Sequence, residues 1–112
     1  MLPQRHRLRR SADIRRVRRH GRRWRHPLLL LFTATNSQET SRFAISASRR
    51  VGKAVVRNKA RRRVREAIRT QLPRMQPGYD CVFVVRDSLP AASFADVNSA
   101  VCQLLQQAGL LD

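Results

Sequence analysis

The sequence predicts a single α+β domain, a sandwich of helices on one mostly antiparallel sheet, and three observations carry that prediction. Apolar residues recur at helical spacing from about residue 54 to 70, and at a period of two in RFAISAS (42–48). LLLLFTAT (28–35) and YDCVFVVR (79–86) are apolar runs with the length of buried strands. Turn and stop residues separate these segments, and 112 residues suffice for one domain with one real core.

Taken in order, Ser11 is placed to cap a short helix, with Asp13 favourable in its first turn. Ile14 and Val17 give that helix a thin apolar stripe, Arg15, Arg16, Arg18 and Arg19 form its other face, and His20-Gly21 ends it. The chain turns strand-like from Trp24, runs through the strand 28–35 and turns at Asn36-Ser37-Gln38-Glu39. The next strand, 42–48, sets Phe43, Ile45 and Ala47 on one face and Arg42, Ala44, Ser46 and Ser48 on the other. These two strands are expected to pair as an antiparallel hairpin. Gly52 punctuates the chain before a helix of about 16 residues that Pro73 stops. The strand 79–86 lies between Pro77-Gly78 and Pro90. Ser93 opens the last helix, with Asp96 at capping-box spacing. Phe94, Val97, Val101, Leu104, Leu105 and Ala108 make its apolar face, and Gly109 ends it. The element order is α-β-β-α-β-α. The domain spans 1–112, with residues 1–10 a basic N-terminus open to disorder.

The charge is extreme and uneven. There are 24 Lys+Arg against 7 Asp+Glu, a net charge of +17, where roughly 2–8 charges keep a small domain soluble. Eleven arginines face only Asp13 within residues 1–25, and nine basic residues with no acid occupy 49–65. Residues 71–112 hold Arg74 and Arg86 against Asp80, Asp87, Asp96 and Asp112, a net of −2. The partner is therefore a polyanion that meets the first two thirds, nucleic acid before anionic membrane. Only Lys53 and Lys59 are lysines. The arginine excess suits bidentate phosphate recognition, and biased genome composition yields the same excess.

The segment RNKARRRVREAIR, from Arg57, concentrates this chemistry. At 100° per residue from Val56, the residues Val56, Ala60, Val64, Ala67 and Ile68 share an arc of about 120°. Asn58, Arg62, Arg65 and Arg69 lie opposite, with Arg61 flanking them on one side and Lys59 on the other, beside Glu66. The result is a cationic stripe about 16 Å long carrying one amide. An ordinary solvated helix mixes signs at i,i+4, whereas here Glu66 alone answers the cations. Arginine forks suit phosphate oxygens, and Asn58 can donate to or accept from a 2′-hydroxyl or a base edge.

Other chemistries find less support. No run of about 18 apolar residues exists, so no membrane-spanning helix is expected. PLLLLF (27–32) is too short for one and lacks a cleavage site after it. An Arg-rich transit peptide is a rival reading of residues 1–25, opposed by the scarcity of serine and by the helix pattern within them. Cys81 and Cys102 have no ligand spacing and read as buried free thiols in a reducing cytoplasm. His6, His20 and His26 form no metal pattern. A metal-dependent nuclease needs convergent carboxylates, whereas Asp80, Asp87 and Asp96 read as a strand end, a turn and a cap. No catalytic side chain and no metal site are expected.

The segment SASRRVGKAVVRNKARRRVREAIR (46–69) resembles the signature of the bacterial ribonuclease P protein subunit family: a Ser-x-Ser strand end, two basic residues, a glycine turn, then an Arg-Asn-Lys helix with further cations. RLRRSADIRRVRRHG (7–21) resembles the family's first helix, and GYDCVFVVRDSL with the last helix resembles its C-terminal half. The resemblance implies an α/β sandwich whose Arg-Asn-Lys helix joins two parallel strands by a left-handed crossover. It also implies a protein that binds a catalytic RNA and the 5′ leader of precursor tRNA, assisting endonucleolytic leader removal. The chemistry would lie in the RNA and its Mg²⁺ ions, with no cofactor on the chain. Its RNA-binding surface would be Arg49, Arg50, Lys53, Arg57, Asn58, Lys59, Arg61, Arg62, Arg65 and, as the end of the same stripe, Arg69.

The resemblance places the leader cleft between the first helix and the sheet, with Ile14, Arg18, Phe32, Ser46 and Ser48 as candidates. The family commonly has aromatics where Ile14 and Arg18 stand, which moves base stacking here to Phe32 or to the Arg18 guanidinium. For Ile14 and Phe32, core packing is an equal reading. The expected partners are the catalytic RNA and precursor tRNA, with no membrane and no protein partner, in the cytoplasm. The alternative is a structural RNA-binding protein of the ribosomal kind.

Overall fold

A computed structural model describes residues 2–112, and its sheet is built around the last strand in sequence. The strands are β1 (Arg22–Arg25), β2 (Leu29–Thr35), β3 (Arg42–Ser46) and β4 (Tyr79–Val85), in the spatial order β1-β2-β4-β3. β1 pairs antiparallel with β2, β2 antiparallel with β4, and β3 parallel with β4. The sheet is thus mostly antiparallel, as expected, but the expected β2–β3 hairpin does not form because β4 lies between them. The local hairpin is instead β1–β2, closed by mutual backbone hydrogen bonds between His26 and Leu29. β4 is mostly apolar and largely buried, and such a strand belongs at the centre of a sheet.

Helix α1 (Ser11–His20) covers one face of the sheet, and α2 (Ala54–Gln71) and α3 (Phe94–Gln107) pack together on the other. Helix α2 also makes the crossover between parallel β3 and β4. The main core lies on the two-helix side, where Leu29, Leu31, Phe43 and Phe83 of the strands meet Val64, Ile68, Val101 and Leu104. A second, smaller cluster of Leu8, Val17, Phe32 and Val82 lies under α1.

Ser11 does not cap α1. It is the first helical residue, Arg10 holds the cap position, and no side-chain bond is made there. Ser93 does cap α3, accepting the Asp96 amide at 3.1 Å. Gly21 ends α1 without a left-handed turn. A Cβ there would lie 2.4 Å from the Val17 carbonyl oxygen and 2.6 Å from that of Thr33, so glycine lets the helix end press on β2.

Residues 2–10 run along the outer edge of β3; Met1 lies outside the described residues. The Leu8 amide donates to the Phe43 carbonyl at 2.8 Å, and Leu2 and Leu8 are buried in the two clusters. Residues 2–10 dock there because the two leucines seek burial and the β3 edge offers unpaired backbone groups.

Candidate nucleic-acid interface

The basic segment after β3 folds as a short 3₁₀ turn (Arg49–Val51), then Gly52, then α2. Gly52 has φ 148°, a conformation side chains disfavour, and a Cβ there would crowd Val56 at 3.0 Å. The turn leaves Arg49, Arg50 and Lys53 exposed at the head of α2. Along α2, Ala60, Val64, Ala67 and Ile68 are buried and Val56 is partly so, which seats the opposite face outward. Asn58, Lys59, Arg62 and Arg69 are exposed, and Arg57, Arg61 and Arg65 are half-buried.

These side chains are not equivalent. Arg61 donates to the Asn58 amide oxygen, joining the flank of the stripe to its one amide. Arg69 donates to both carboxylate oxygens of Glu66, with Nε at 3.0 Å from Oε2, so its charge is largely answered within the chain. Sequence spacing had set Glu66 beside Lys59, whereas three residues on, Arg69 reaches it with a two-pronged fork. Burial, then the charges of Arg61, Arg7 and Arg62, lower the pKa of Arg65. That arginine stands among like charges. The Nε of Arg57 is buried with no acceptor among the described residues.

The leader-cleft candidates divide. Register puts Arg23, Phe32, Val82 and Ala44 in one row across the sheet and Arg25, Leu30, Val84 and Ser46 in the next, all on the α1 face. Ile14 packs against the cluster containing Phe32. The Arg18 guanidinium lies 5.4 Å from the centre of the Phe32 ring, a cation–π contact. Phe32 is only 9% exposed, so this face presents Arg18 rather than a bare ring. Leu30, Ala44, Ser46 and Val84 are half-exposed, which leaves that end of the face open. Ile14, Arg18, Phe32 and Ser46 therefore share one face. Ser48 does not join them, because β3 ends at Ser46. It opens the 3₁₀ turn and, with Arg50 and Arg86, lines a separate polar hollow of about 410 Å³.

Two features of this face lie outside any pattern in the sequence. Arg23 and Arg25, on the edge strand β1, extend the α1 face with two exposed cations; RRWR, with Trp24 its one apolar residue, carries little strand pattern of its own. The other is Asp80, fully buried, which fixes α1 to the sheet. It accepts from Arg16 at 2.7 Å, from Arg42 Nε and Nη2 at 2.8 and 2.7 Å, and from Asn36 at 2.9 Å. Burial alone would push its carboxyl up, but the hydrogen bonds of Arg42 and Asn36, the charge of Arg42 and the bond from Arg16 hold it below the ordinary aspartate range. Cys81, the next residue, is buried and its thiol is pushed up by burial and by the Asp80 charge. Cys102 is a free thiol only half-buried. Among the described residues, no three of His, Cys, Asp and Glu converge, and no helix is long and apolar enough to cross a membrane.

A family model described as Ribonuclease P matches residues 2–109. The chain is 48% identical over 107 residues to the ribonuclease P protein component of Chloroflexus aurantiacus, covering 95% of this chain and 79% of that one. The RNase P protein of Thermotoga maritima superposes with a TM-score of 0.83 at 28% identity, covering 90% of this chain and 96% of that one. The RNase P protein of Staphylococcus aureus superposes at 0.88 with 22% identity, covering 96% and 98%, a likeness of fold.

Proposed function

The chain belongs to the ribonuclease P protein family, and from that premise we propose how its surfaces serve a bacterial ribonuclease P, in which a catalytic RNA and this accessory subunit remove the 5′ leader from precursor tRNA. The observation that carries the reading is the α2 ridge: Asn58, Lys59, Arg62 and, half-buried, Arg61 and Arg65, lying over a buried apolar underside. The turn residues Arg49, Arg50 and Lys53 extend it. Together they offer forked donors to RNA phosphates, and the docking gains free energy from released counterions. Arg69 contributes less, because it is held by Glu66.

The leader occupies the other face of the sheet. Arg18, stacked on Phe32, meets a phosphate or the flat side of a base, Ser46 offers a hydroxyl, and Arg23 and Arg25 guide the backbone along the β1 side. The two surfaces lie on different elements, so one chain can hold the RNA subunit and the leader at once.

The residues of this chain do not fit a resident Mg²⁺. The carboxylate on the ridge, Glu66, is engaged by Arg69, and Asp80 is surrounded by arginine and asparagine donors. In this reading the metal ions are held by the RNA, where the phosphodiester hydrolysis takes place, and the protein raises affinity by lowering the repulsion between RNA and leader. A cytoplasmic setting belongs to the same reading.

The test mixes the chain with a ribonuclease P RNA and a precursor tRNA at low Mg²⁺. Cleavage at the mature 5′ end should rise sharply when the protein is added. Tight RNA binding without stimulation would identify a structural RNA-binding protein instead.

A further inference from the structure

An apolar groove opens beside the cationic ridge, and the reading above does not use it. Its walls are Val55, Val56 and Ala60 of α2 together with Leu89 and Pro90 from the turn after β4, and its volume is about 310 Å³. That is the small end of ligand-sized hollows, roughly 300–1,000 Å³, and enough for one flat ring system. Val55 is 78% exposed, where most large apolar side chains of the described residues are covered. Val55 sits in the first turn of α2 and forms one wall of the groove with its side chain largely open to solvent.

Position narrows what the groove can receive. On a helix surface Val55 neighbours the residues three, four and seven further on, which are Asn58, Lys59 and Arg62 of the ridge. Lys59 and Arg63 stand at the rim of the groove. Arg63 is fixed there by donating to the Ala92 carbonyl at 2.9 Å. The groove is therefore an apolar floor with a rim of one sign, continuous with the ridge. A single unstacked nucleobase has that complement: two faces that lose water against aliphatic carbon, with a phosphate on each side for a cation.

We propose that this groove receives one unstacked base of the RNA on which α2 docks, an inference that rests on the reading of α2 as the RNA-binding ridge. The base would be clamped between Val55 and Pro90, with its flanking phosphates on Lys59 and Arg62. It would fix the register of an otherwise sequence-blind electrostatic contact.

The experiment measures affinity for a ribonuclease P RNA over a range of salt for the unmodified chain and for Val55→Ser, Pro90→Ser and Arg62→Ala, with melts establishing that each variant is folded. Val55→Ser and Pro90→Ser should each weaken binding by about fivefold through lost apolar contact. The slope of log affinity against log salt should stay unchanged, since neither side chain displaces a counterion. Dimethyl sulfate should find one unpaired adenine or cytosine protected by the unmodified chain and reactive again in the Val55→Ser complex. Replacing that nucleotide by an abasic one should make the two proteins bind alike. Unchanged affinity in both groove variants, with Arg62→Ala still lowering the salt slope, overturns the groove proposal, leaves the ridge reading standing and assigns the groove to another partner such as a protein side chain. If the unmodified chain binds without salt dependence, the ridge reading fails and this proposal fails with it.

Discussion

Two helices seal one face of the sheet and a single helix crosses the other, and the two faces are held together by different physics. Under α2 and α3 the contacts are almost wholly aliphatic and aromatic, and Leu29, Leu31, Phe83 and Leu104 are fully covered. Under α1 the apolar cluster is small, and the helix is pinned largely by one carboxylate, Asp80, among Arg16, Arg42 and Asn36. A face held by packing can be sealed against water. A face held by a hydrogen-bonded ion cluster at one end can leave the row at the other end, Leu30, Val84 and Ser46, half open. The sealed side supplies the stability that lets the α1 side stay partly open.

The largest expected effect tests that division directly. Phe83→Ala should lower unfolding free energy by about 3–5 kcal/mol, because it removes a buried aromatic and leaves a cavity. Leu30→Ala, on the open face, should cost only about 1 kcal/mol. Urea melts of the two variants measure the difference, and equal losses would mean that the faces are not divided as described. Next comes Asp80→Ala, which leaves two arginines without their shared acceptor and should cost about 3 kcal/mol. It falls at the lower end of such losses because Arg16 and Arg42 both keep contact with solvent.

The same aspartate predicts an acid transition. Its folded pKa lies below its unfolded one, so its contribution is fully present above the ordinary aspartate pKa of about 4. That contribution is lost as pH falls through the depressed value. Melts from neutral pH downward should show stability falling below about pH 4 in the unmodified chain, and less steeply in Asp80→Asn. Parallel curves for the two would remove Asp80 as the pin.

What the sequence disclosed follows the range over which each interaction acts. The apolar arc of α2 was legible because helical periodicity is local: of its five residues, Ala60, Val64, Ala67 and Ile68 are buried and Val56 packs against them. The α3 face was legible in the same way except at Phe94, which remains 41% exposed as the first residue of the helix. Strand pairing was not legible, because the Asn36–Glu39 turn allows a hairpin but cannot reveal that β4, from more than thirty residues on, enters between β2 and β3. β1 was hidden for a related reason: RRWR carries no apolar alternation and takes its strand form from pairing with β2. The ridge could be read from periodicity alone. Most of the cleft needed the family resemblance, since its floor comes from three separate strands. The Asp80 cluster joins residues 16, 36, 42 and 80, and no spacing in the chain announces it.

Within the ridge the same reasoning separates arginines that look alike in the sequence. Arg62 is exposed, and the acid four residues on, Glu66, is engaged by Arg69; Arg65 is crowded by Arg61, Arg7 and Arg62. Substituting either by alanine should weaken binding to ribonuclease P RNA and lower its salt slope by about one. Arg69 spans two hydrogen bonds to Glu66. To meet a phosphate it must leave that carboxylate, so much of what it gains is offset by what it gives up, and Arg69→Ala should lower the slope by well under one. In Glu66→Gln the carboxylate is neutralised and Arg69 is released to the RNA, so affinity should rise slightly and the slope should steepen. Salt titrations of the four variants measure this, and an Arg69→Ala slope equal to that of Arg62→Ala would show that the pair opens freely when RNA arrives.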